Sequence, residues 1–84
     1  AGFMNRKADP FIVTVEPTTE TQSIHLNTHP GHEFNLVLEG RVMLQIGTKE
    51  LILYEGDSIY FDANRPHGMK ALDGKPVKFL AIII

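Results

Sequence analysis

Residues 27 to 40 read Asn27-Thr28-His29-Pro30-Gly31-His32-Glu33-Phe34-Asn35-Leu36-Val37-Leu38-Glu39-Gly40. Upstream of Pro30, Ser23 to His29 alternates, with Ile24, Leu26 and Thr28 on one face and His25, Asn27 and His29 on the other. Alternation with period two belongs to a strand. After the Pro30-Gly31 turn a second alternating run puts Glu33, Asn35 and Val37 on one face and Phe34, Leu36 and Leu38 on the opposite one, and Gly40 ends it. A polar strand face that carries two imidazoles and an amide is unusual.

The same pattern extends in both directions. Phe11 to Val15 is a β-branched and aromatic run, followed by a polar link from Glu16 to Gln22 with no periodic apolar face. Arg41 to Ile46 and Glu50 to Tyr54 form a hairpin across Gly47-Thr48, with Val42, Leu44 and Ile46 as its apolar stripe. Gly56-Asp57 marks a turn before the short strand Ser58 to Phe61, and Asn64-Arg65-Pro66 another before His67 to Ala71, which places His67, Met69 and Ala71 together. Asp73-Gly74-Lys75-Pro76 is a further turn, and Val77 to Ile84 reads as a strand buried on both faces. No segment has helical periodicity over the length an independent helix needs. The expected fold is all-β, with seven or eight short strands in a small antiparallel barrel or jelly-roll sandwich.

Composition narrows the function. The chain has 84 residues, which fits one domain. With no cysteine there is no disulfide framework and no thiolate site, so a metal must be held by imidazole, carboxylate or amide oxygen. Eight basic against ten acidic residues, scattered along the chain, argue against nucleic-acid contact from this segment. The longest apolar stretch, Phe79 to Ile84, is far short of a membrane span, so a cytoplasmic location is expected. The start at Ala1 without methionine and the apolar end at Ile84 suggest a piece of a longer chain.

His29 followed after three residues by Glu33, Glu33 followed after six by Gly40, and Gly56-Asp57 leading to Pro66-His67 resemble the two sequence motifs of the cupin superfamily. The first of those motifs carries two histidines one residue apart, then a glutamate, then a glycine; the second runs from a glycine to a histidine. The resemblance spans residues 11 to 84. It implies that His29, Glu33 and His67 are metal ligands, with Asn27 in the place of the first motif histidine as a weaker amide ligand. The second motif departs further: Asp62 and Asn64 stand where the family favours proline and glycine, and Ala71 where it has asparagine.

Two imidazoles and one carboxylate suit a single divalent ion, Fe, Mn, Ni or Zn, with open positions. Asn27, His29, Glu33 and His67, with Tyr60 and Met69, are the expected ligand-binding set. His25 is expected at the rim and His32 on the opposite face, neither of them a ligand. The structural alternative for His29, Glu33 and His67 is a buried hydrogen-bond network without an ion.

Within the family, the runs 32–40 and 56–62, with Pro66-His67, look most like the C-terminal cupin domains of bacterial regulators that carry a lambda-repressor-like helix-turn-helix. On that resemblance the chain is an effector-sensing, homodimerising domain whose DNA-reading domain lies N-terminal to it. The alternative is a small metal-dependent cupin enzyme such as a dioxygenase or sugar isomerase.

Overall fold

A computed structural model describes residues 9–18 and 23–84. The end of the polar link after Thr18 and the first eight residues lie outside the described part. Seven strands follow in order: β1 Asp9–Val15, β2 His32–Glu39, β3 Val42–Ile46, β4 Lys49–Leu53, β5 Ser58–Asp62, β6 His67–Ala71 and β7 Val77–Ile83. They form a four-stranded sheet ordered β1-β7-β2-β5 and a three-stranded sheet ordered β4-β3-β6, every strand pair being antiparallel. No helix among the described residues is long and apolar enough to cross a membrane.

Strand alternation decides what the two sheets show each other. On β2, Glu33, Asn35 and Val37 are buried, and on β3 so are Val42, Leu44 and Ile46. Val37 and Val77 of the larger sheet meet Val42 and Ala71 of the smaller one in one apolar cluster. Phe61 meets Leu44 and Ile46 in a second. Leu53 and Met69 pack against both clusters, which makes one thin core sandwiched between the sheets.

The β3–β4 hairpin has the expected two-residue turn, with Ile46 paired to Lys49 and Gly47 at φ 59°. A positive φ at the first central position alone is the type II′ arrangement, which suits the strand twist. A register shift between Val37 and Glu39 marks a bulge at Leu38, and this residue turns 47% exposed to solvent.

Two expectations need correction. Residues 23–29 do not form a strand. Their backbone is tied at Asn27, which exchanges two hydrogen bonds of 2.9 Å with His67, and at His29, whose N–H reaches the Ala63 carbonyl at 2.9 Å. The alternation survives in burial alone: Ile24 and Leu26 are half-buried, His25 and Asn27 exposed. Strand β7 is buried on one face only, because Val77, Phe79 and Ala81 face the core while Lys78 is exposed and Leu80 and Ile82 are half-covered. Strand β1 pairs along its whole length with β7, Asp9 opposite Ile83 through Val15 opposite Val77.

Candidate metal centre

Glu33 sits at the start of β2, opposite Phe61 on one side and Ile83 on the other, with 7% of its surface exposed. A carboxylate so covered needs partners. The turn Pro30-Gly31 brings His29 back over it, and the Asn27 bridge fixes the start of β6, where His67 stands. Nε2 of His29 lies 2.9 Å from Oε1 of Glu33, and Nε2 of His67 lies 3.5 Å from the same oxygen. The ligand atoms of the three residues all fall within 4.8 Å of one another.

Both rings are held from behind. Nδ1 of His67 is 2.8 Å from the Arg65 carbonyl oxygen, and Nδ1 of His29 is 3.2 Å from that of Pro30. A carbonyl only accepts, so each Nδ1 carries the hydrogen and each Nε2 is the atom presented to the centre. Phe61 fixes the His67 ring further by an edge contact, with centroids 5.0 Å apart at 67°, and the two imidazoles meet edge to face at 5.2 Å.

The donor set fits a divalent cation: two neutral imidazoles and one carboxylate leave coordination positions open. The three residues would hold such an ion through two imidazole nitrogens and a carboxylate oxygen. His29 is the exposed member, at 33% side-chain exposure against 11% for His67, which puts the open side of the centre at His29.

The remaining candidates divide. Asn27 is exposed, and as the residue directly opposite His67 it shares that residue's face of the sheet. Tyr60 does not join the site. Phe61 takes the inward position of β5, so Tyr60 faces outward, 56% exposed, and its hydroxyl meets Nδ1 of His32 at 2.7 Å. Met69 packs into both core clusters, as a flexible side chain filling the gap between them. His32 and His25 are exposed and outside the cluster, as expected.

Four surface cavities of 200 to 390 Å³ among the described residues are lined by other side chains than these three. The one between Arg41, Glu55 and Asp73 lies near the far end of β2, about 20 Å along the strand from Glu33. At that rim the Asp73 carboxylate holds the Arg41 guanidinium above its ordinary range, and Arg41 in turn holds the Asp73 carboxyl below its own.

One functional candidate that sequence reading did not single out is Asn35. It is fully buried on the Glu33 face of β2, and neither amide atom has a hydrogen-bond partner. The available signal was its place in the alternation two residues after Glu33.

Comparison with known families and structures agrees with this geometry. The cupin domain model matches residues 11–83, and the chain belongs to that family. Among solved structures, the hydroxypropylphosphonic acid epoxidase from S. wedmorenis is 30% identical at a TM-score of 0.82, over 93% of this chain and 44% of that one. Fe(II)-HppE with the alternative substrate (S)-1-HPP is 28% identical at a TM-score of 0.83, over 93% of this chain and 43% of that one. CoII HppE in complex with substrate is 29% identical at 0.82, over 93% and 45%. The chain thus spans less than half the length of the structures it resembles. No curated protein matches it in sequence.

Proposed function

We propose that this cupin domain is the metal-holding part of a mononuclear metal-dependent enzyme that acts on a small polar molecule. The observation that carries the reading is the convergence of His29, Glu33 and His67, with ligand atoms within 4.8 Å, on a fold whose similar solved structures are of an enzyme described with Fe(II) and Co(II). A divalent ion held there would supply Lewis-acid or oxygen-activating chemistry at its open positions.

The chain's own residues set the conditions. Glu33 contributes the negative charge from a site largely closed to water, where its interaction with a cation is stronger than at the surface. Arg65 and Pro30 fix the ring orientation of the two histidines through their carbonyls. Nε2 of His29 lies 2.9 Å from Oε1 of Glu33, and a cation held between the two residues would replace that contact. The exposed side at His29, rimmed by Asn27, is where a substrate enters.

The test is oxygen uptake by the Fe(II)-loaded chain with a panel of small hydroxylated acids and phosphonates. Substrate-dependent uptake that disappears in His29→Ala supports catalysis. Iron binding without uptake for any compound favours a second reading, in which the barrel senses an effector for a homodimeric DNA-binding regulator. That reading rests on the likeness of the runs 32–40 and 56–62 to regulator cupin domains and on the amide of Asn27 where the family has an imidazole. Exposed Ile12 (64%) and Tyr60 (56%) on the outer face of the larger sheet are the apolar surface such a homodimer would cover.

A further inference from the structure

Glu33 and Asn35 are the two buried polar side chains among the described residues, and they are neighbours on the same face of β2. The two surroundings differ. Glu33 has the imidazoles of His29 and His67, both on Oε1. Asn35 has Ile59 opposite it on β5 and Ala81 opposite it on β7, and its Nδ2 and Oδ1 are both without a partner. The strand holding it is hydrogen-bonded on both edges, so the amide cannot leave the interior by a small backbone movement.

An amide shut away from water and left unpaired is costly, and a leucine of nearly the same shape would fill the same space without that cost. The structure therefore bears a local destabilisation at the position next to the metal centre. Carboxylates that ligate metals are themselves hydrogen-bonded, and those partners orient them. Both imidazoles contact Glu33 through Oε1, so only one of its carboxylate oxygens meets them. A cation held by His29, Glu33 and His67 would take up both Nε2 atoms and leave the rest of the carboxylate to a hydrogen-bond donor.

Resting on the metal-centre reading above, we propose that Asn35 is a positioning residue: its NH₂ group donates to the carboxylate of Glu33 when Glu33 ligates a divalent metal. The buried amide then lowers the stability of the domain without metal and stabilises the metal-bound form. It makes the metal site tighter at the expense of the metal-free fold.

The experiment uses the whole chain with Co(II) as the probe, titrated by its visible absorption into wild type, Asn35→Leu and Asn35→Val, together with thermal melts of each without metal. The expected result for Asn35→Leu is a Co(II) affinity about 10- to 100-fold weaker, with a metal-free Tm higher by about 5 °C or more. Retention of affinity within about threefold in both variants overturns the proposal. So does a lower metal-free Tm, or failure to fold, in both, because that assigns the amide a structural role. Absence of Co(II) binding by wild type overturns the metal-centre reading itself, which separates that failure from one confined to Asn35.

Discussion

Gly31 links the site to the end of the fold, and replacing it with alanine isolates that link. Its φ is +91°, and a Cβ there would run into the carbonyl oxygen of Ile84. That carbonyl accepts the His32 N–H at 3.0 Å, while the Ile84 N–H reaches the His32 carbonyl at 2.9 Å, so the two bonds close β2 against β7 immediately before Glu33. Gly56 is the matched control: its φ is +88° and a Cβ there meets nothing within 4 Å. Backbone strain is common to both substitutions and costs about 1–2 kcal/mol. Only Gly31→Ala adds the displacement of two hydrogen bonds, each worth about 0.5–1.5 kcal/mol. The total is then about 2–5 kcal/mol, and the excess over Gly56→Ala about 1–3 kcal/mol. At about 4–8 °C per kcal/mol for a domain of this size, Gly31→Ala should melt at least about 4 °C below Gly56→Ala in a thermal scan followed by circular dichroism. It should also weaken Co(II) binding, because His29 and Glu33 flank the displaced turn. Equal melting temperatures for the two variants would refute the reasoning.

Other perturbations separate core, rim and outer face. Leu44→Ala removes a fully buried side chain from the cluster with Ile46 and Phe61 and should cost about 3–5 kcal/mol in denaturant titration, a large share of the stability of so small a domain. Asp73 is held below the usual carboxylate range by its hydrogen bonds to Arg41. Its contribution is thus present above that range and lost as pH falls through the lowered value; Asp73→Asn should flatten the acid limb of Tm against pH slightly at low salt, and hardly at all at 0.5 M salt, since the pair is exposed. His32→Ala and Tyr60→Phe each break the contact on the outer face of the larger sheet, and both should retain wild-type metal stoichiometry by elemental analysis.

The periodicities that mark β2 and the β3–β4 hairpin were fully legible, because local alternation and a Gly-Thr turn determine them. The order of strands was not. Asp9 pairs with Ile83, at the far end of the chain, and a local pattern carries no record of such a partner. Residues 23–29 show why alternation alone misleads: it reports two unlike faces, whereas a strand also needs a continuous line of backbone partners, and this segment finds them at isolated points. In Ser58 to Asp62 three successive apolar residues, Ile59, Tyr60 and Phe61, leave the inward parity open, and only the structure shows that Phe61 faces in and Tyr60 out. The ligand triad was legible through spacing that matches a family motif. The condition of Asn35 depends on what lies opposite it on two neighbouring strands and could be seen only in three dimensions.

If His29, Glu33 and His67 form one metal site, elemental analysis will show it in the chain loaded with Fe(II) without oxygen and freed of excess metal, measured beside Glu33→Ala and His67→Ala. About one equivalent in wild type and little in either variant is the predicted result, since each substitution removes one of three ligands. A full equivalent retained in both variants, or none in wild type, would contradict it.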